Sequence, residues 1–85
     1  MGRYYTLIDA LKDAIRKGRP VKFDTDYVCN VCGELWDIRG VLDGLDMTET
    51  ERKRFLAGKG CPVCKGRKSE IVLELERELR EGSGF

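Results

Sequence analysis

The chain has 85 residues, with 16 Lys and Arg against 15 Asp and Glu, so it is charge-rich but carries a net charge of only +1. It is not a polycation, and any affinity for nucleic acid has to come from a local patch. The length allows one domain, 1–85, whose core alone supplies about a few kcal/mol, so a metal or disulfide staple is expected.

No run is apolar enough for a membrane span or a signal peptide, which predicts a cytoplasmic protein. Reduced thiols in that compartment favour metal over disulfide. The sequence has no His, no Gln and a single Asn, Asn30, beside abundant Lys, Arg and Glu. That is the bias of a thermophile, and because some hyperthermophiles keep intracellular disulfides, a disulfide pairing of the cysteines stays open.

In chain order, residues 1–22 read as a helical extension. Leu7, Ile8, Leu11, Ala14 and Ile15 share one face of a helix over 4–17, which Gly18 ends and Pro20 cannot continue. Residues 21–28 alternate as one strand with Val21, Phe23 and Tyr27 inward, and residues 34–42 read as a second strand interrupted at Gly40. Thr48 and Glu51 form a capping box for a short helix over 49–57, stopped by Gly58 and Gly60. Ser69 caps a last helix over 70–81 with Val72, Leu75 and Leu79 as its apolar stripe, and the tail 82–85 should be loose. The stripe spans under two heptads, too little to argue a coiled coil.

The four cysteines fall in two C-x-x-C pairs, Cys29/Cys32 and Cys61/Cys64. Such a turn lets two sulfurs converge on one ion while backbone amides bond the thiolates, and Gly33 and Gly66 offer the permissive backbone these turns need. Two pairs make a tetrahedron of four thiolates suited to one Zn²⁺ per chain, a closed and therefore structural site, with iron as the alternative metal. A redox C-x-x-C of thioredoxin type needs a βαβ context and does not explain two copies.

Two family resemblances follow from these residues. Tyr27-Val28-Cys29-Asn30-Val31-Cys32-Gly33, then Trp36-Asp37, with 28 residues between Cys32 and Cys61, resembles rubredoxins, which implies redox-active iron in the cage. Rubredoxins place glycine after the last cysteine, whereas Lys65 stands here. Cys29, Cys32, Gly33 and Trp36, then Gly58, Gly60, Cys61, Pro62, Cys64, Gly66, Arg67 and Lys68, resemble the treble-clef, zinc-ribbon-like repeats found near Vsr-type endonucleases and in large viruses. That likeness covers about residues 27–68 and implies a zinc-stabilised module attached to DNA-processing proteins, without chemistry of its own.

Charge is segregated. Arg52, Lys53, Arg54, Lys59, Lys65, Arg67 and Lys68 give 52–68 a charge of +7, against −5 for 23–47 and −3 for 69–85. The basic block surrounds the second cysteine pair and is the candidate phosphate-contacting surface; the alternative is a solvated face offset by the acidic last helix. Trp36 either packs on the metal site or stacks on a base. Asp24, Asp26, Asp37, Asp43 and Asp46 lack any recognised cation-site spacing. With no histidine and every cysteine assigned to metal, catalysis and a small-molecule substrate are not expected.

The expected fold is therefore a small α+β, zinc-stabilised treble-clef or zinc-ribbon-like domain. It comprises the helical extension, a two-knuckle zinc module over 23–68 built on a short hairpin, and a C-terminal helix over 69–81 packed across that hairpin. The expected function is nucleic-acid binding through the basic face. A protein–protein adaptor or assembly component is the alternative, followed by rubredoxin-like electron transfer.

Overall fold

The computed structural model describes residues 6–81; the predicted helix start at residue 4 and the predicted loose tail lie outside them. The element order is α1 (Leu7–Lys17), β1 (Val21–Phe23), β2 (Asp26–Val28), β3 (Leu35–Asp37), α2 (Ile38–Leu42), α3 (Glu49–Leu56) and α4 (Glu70–Arg80). The fold is α+β, with one antiparallel sheet in the order β1-β2-β3.

Thr6 caps α1 by accepting from the Asp9 N–H, and the helix closes at Gly18, whose N–H donates to the Ala14 carbonyl at 2.8 Å. The predicted single strand 21–28 is instead a tight hairpin, with Phe23 opposite Asp26 and the turn at Asp24-Thr25. Asp24 makes that turn by taking a left-handed conformation, φ 58°, which Asp tolerates better than most residues. The predicted second strand, 34–42, also divides. Its first part is β3, but at Asp37 the chain turns into α2, because the Asp37 carboxylate accepts from the N–H groups of Arg39 and Gly40. A local cap thus overrides the β-branched bias of the segment. The capping box of α3 forms as the sequence predicts, with Thr48 and Glu51 each bonding the other's backbone N–H.

The sheet is a middle layer with a core on each face. Val21 pairs with Val28, and both pack on Ala10, Leu11 and Ala14 of α1 and on Val72 and Leu75 of α4. Helix α4 lies against α1 and shares this core with Val21 and Val28 of the hairpin. The other face carries Tyr27, which is paired with Trp36 and packed in a second core with Cys29, Val31, Val41, Met47, Phe55 and Cys61. Val21 and Phe23 point into the first core and Tyr27 into the second, so the three are inward on opposite faces, as strand alternation requires. Among the described residues, no helix is long and apolar enough to cross a membrane.

Candidate metal centre

The first knuckle is the β2–β3 connection. Cys29 N–H donates to the Glu34 carbonyl at 2.9 Å and Gly33 N–H to the Cys29 carbonyl at 2.8 Å, closing the turn so that Cys29 and Cys32 face one point. The second knuckle lies between α3 and α4. Lys65 N–H donates to the Cys61 carbonyl at 2.8 Å, the same bond one knuckle later. Gly33 and Lys65 occupy equivalent positions, both left-handed, at φ 83° and 52°. The permissive position predicted at Gly66 is thus preceded by a lysine in a conformation that costs an L-residue about 1 kcal/mol or more.

The four Sγ atoms all lie within 4.8 Å of one another, although they come from two separate segments of the chain. Cys29 to Cys64 is 4.0 Å, while Cys32 to Cys61 and Cys61 to Cys64 are 3.6 Å each. A tetrahedron with metal–sulfur bonds of about 2.3 Å has sulfur–sulfur edges of about 3.8 Å, so the cluster has the size of a four-thiolate cage. All four cysteines are free thiols, with none paired as a disulfide.

The surrounding backbone is arranged for thiolates. Val31 N–H points at the Cys29 sulfur and Glu34 N–H at the Cys32 sulfur, both at 3.4 Å, while Cys61 N–H reaches the Cys64 sulfur at 3.3 Å and Cys64 N–H the Cys61 sulfur at 3.4 Å. Burial pushes the Cys29 thiol up to about 11, opposed by the Val31 and Cys32 amides. Burial drives Cys32 up further, opposed by the Glu34 amide. Burial also raises Cys64, but the amides of Gly66 and Cys61 and the neighbouring thiols outweigh it, leaving that thiol below its ordinary value. Cys29 and Cys32, whose burial opposes ionisation and each of which has an amide donor aimed at its sulfur, are stabilised as thiolates by a cation among the four. Four sulfurs and no oxygen donor suit a soft or borderline ion, not calcium or magnesium.

Phe55, which the sequence did not single out, and Trp36, Ser69 and Gly60, which it did, hold this geometry. Phe55, fully buried, meets Tyr27 edge-on with ring centroids 5.9 Å apart and Trp36 at 6.4 Å, forming the floor beside the cysteines. Trp36 is therefore packed rather than displayed for stacking on a base. Ser69 caps α4 and also donates its hydroxyl to the Cys32 carbonyl at 3.0 Å, while its N–H reaches the Val31 carbonyl at 3.2 Å, tying the last helix to the first knuckle. Gly60 has no room for a Cβ, which would stand 2.5 Å from the Gly66 nitrogen and 3.2 Å from the Cys64 sulfur. Only the capping role of Ser69 is legible locally; the other contacts need the fold.

The predicted basic residues divide. Arg52 donates to the Leu42 carbonyl at 3.0 Å, Lys68 pairs with Glu76 at 2.8 Å, and Lys53 pairs with Glu49 at 3.6 Å on an open surface. Arg54, Lys59, Lys65 and Arg67 are exposed, and among the described residues their side chains have no hydrogen-bonding or ionic partner. The five aspartates do not form a metal-holding group with any other residue described. Compared with known proteins, the chain matches no family model, no curated protein and no solved structure.

Proposed function

We propose that the chain is a zinc-stabilised module of treble-clef or zinc-ribbon type that binds nucleic acid through the basic face beside its second knuckle. Cys29, Cys32, Cys61 and Cys64 hold the ion, whose part is to join two knuckles that no sheet or helix connects directly. With four sulfurs as ligands, no coordination position is left for water or substrate, which supports a structural role and a protein that is not an enzyme.

The observation that carries the nucleic-acid reading is the exposed, unpaired set Arg54, Lys59, Lys65 and Arg67 on and around one knuckle, in a segment without a single acidic residue. Residues 1–22 carry +4 but include Asp9 and Asp13, whereas 52–68 carries +7 with no acid, so phosphate is attracted most strongly to this face. The test is fluorescence anisotropy of the zinc-loaded protein with short single- and double-stranded DNA and RNA at two salt concentrations. Absence of binding at low salt ends this reading.

A second reading, a protein adaptor, is favoured by a different observation. Leu45 is 81% exposed and Val63, at the tip of the second knuckle, is 64% exposed. Partner binding of that kind would vary little with salt and would be lost on L45S or V63S. The closed cage suits zinc and iron alike, and zinc is preferred because Lys65 stands where the rubredoxin pattern has glycine; metal analysis of the purified protein decides it.

A further inference from the structure

Beside the second knuckle, between its turn and the end of α3, lies a cleft of about 250 Å³. It is lined by Arg54 from α3, Lys59 and Gly60 from the turn before the knuckle, and Cys61, Pro62 and Lys65 from the knuckle itself. The one acid on the rim is Glu51, whose carboxylate already accepts from the Thr48 N–H at 2.9 Å. We infer that this cleft is a seat for a single phosphate group, gripped by Arg54, Lys59 and Lys65. The inference rests on the nucleic-acid reading for the source of that phosphate, a backbone phosphodiester.

Three features point to an anion. The three cations come from separate elements yet line one cleft, and among the described residues none of their side chains is engaged by an acid. The volume lies below that of sites that enclose a whole small molecule, but it admits one charged group. Lys65 also occupies the left-handed position that Gly33 fills in the first knuckle. Glycine is the unstrained choice there, so the lysine is held at a conformational cost, and strain of that kind gathers where a side chain has a task.

There is a competing role for these charges. Two positive charges on zinc and four thiolates leave −2 at the centre, and cations nearby offset it. Counter-charge alone, however, does not require the cations to line an open cleft. A phosphate in direct contact with them takes charge-assisted hydrogen bonds that a centre spread over four amide-bonded sulfurs does not cancel.

The test uses the zinc-loaded full chain, ¹⁵N-labelled, titrated at low salt with inorganic phosphate and separately with a short unstructured oligodeoxynucleotide. Both ligands are expected to shift the amides of Lys59, Gly60 and Lys65. K65G keeps the turn in its preferred backbone, so it should stay folded while weakening binding roughly tenfold, the scale of one charge-assisted hydrogen bond. E51Q retains the capping box and should bind more tightly. If phosphate shifts the cleft but no oligonucleotide binds, the cleft stands and the nucleic-acid reading falls. If the oligonucleotide binds while the cleft amides stay still and K65G binds as well as the parent, the cleft inference falls and the broader reading survives. Silence with both ligands overturns both and leaves the cations as counter-charge to the centre.

Discussion

The side-chain amide of Asn30 donates to the carbonyl of Gly58 across 3.1 Å, joining the first knuckle to the turn that precedes the second. With the bonds from Ser69 to Val31 and Cys32, it fixes the first knuckle against the segments on both sides of the second. The sulfur cluster is therefore framed by protein hydrogen bonds as well as by its own geometry. Each of the following expectations tests part of that frame.

Metal content comes first. The purified protein should hold about one zinc per chain, measured by elemental analysis, because two knuckles converge on one point. A red protein with thiolate-to-iron bands would move the assignment to an iron centre, provided the iron persists after expression in zinc-replete medium.

Loss of one ligand should be severe. C61S removes a buried sulfur, and structural zinc in small peptides contributes on the order of 10 kcal/mol to folding. Thermal melting of C61S, and of the parent in a strong chelator, should fall together. Unchanged melting of either would mean that the second core stands without metal.

Acid and alkali should act in opposite senses on the loaded and metal-free chain. In a metal-free chain that keeps its knuckles closed, burial raises the Cys29 thiol from 9.0 to about 11 and raises Cys32 as well. The stability tied to those neutral thiols is complete below about pH 9 and is lost as pH rises toward about 11. The loaded chain needs thiolates, so protons compete with the ion and the metal should leave as pH falls. A chromophoric chelator follows release, and denaturant midpoints at about pH 7 and about pH 10 follow the metal-free chain. Equal midpoints there would mean that the metal-free chain no longer buries Cys29, as an opened second core requires.

Phe55 is the largest side chain buried without exposure. F55A should cost about 3 to 5 kcal/mol by urea denaturation, the range for deleting a buried aromatic. Because its ring touches Tyr27 and Trp36, tryptophan fluorescence should change in the folded state too. A loss near zero would place Phe55 outside the core.

Salt should govern nucleic-acid binding. With contacts from Arg54, Lys59, Lys65 and Arg67, a log–log slope of about −0.9 per contact on duplex DNA gives roughly a 100-fold loss between about 50 and 200 mM. R67A should flatten the slope by about one without altering sequence preference. K68A should change it less, since Lys68 is held by Glu76. A slope near zero would favour the adaptor.

The parts legible in the sequence are those encoded by spacing or by caps. The C-x-x-C pairs, the Thr48–Glu51 box, Ser69 as a cap and the apolar stripes of α1 and α4 are local signals, and each appears in the structure, except that Ile8 of the predicted α1 stripe is exposed at the edge of that face. The hairpin at Asp24-Thr25 escaped because no glycine marks a turn whose left-handed residue is an aspartate. Helix α2 escaped because Asp37 reads as an ordinary strand residue until its carboxylate is seen on two amides. Phe55 stands in a helix of mostly charged residues, with no apolar period to announce it, and only the packing of Tyr27 and Trp36 gives it a role. The placement of Arg54, Lys59 and Lys65 around one cleft was equally hidden, since they come from three separate elements.

The sheet separates two halves that answer to different conditions. One core is built from α1, α4 and one sheet face and contains no cysteine; the other surrounds all four. Withdrawing the ion removes support from only one of them. The chain then need not melt as a unit: amides in the helical half can stay protected from solvent exchange while those of the knuckles and α3 open, so a single unfolding free energy describes the loaded protein but not the depleted one. Supply of the ion would thus set how much of the second half exists in its folded shape, while the helical half persists as a folded remnant.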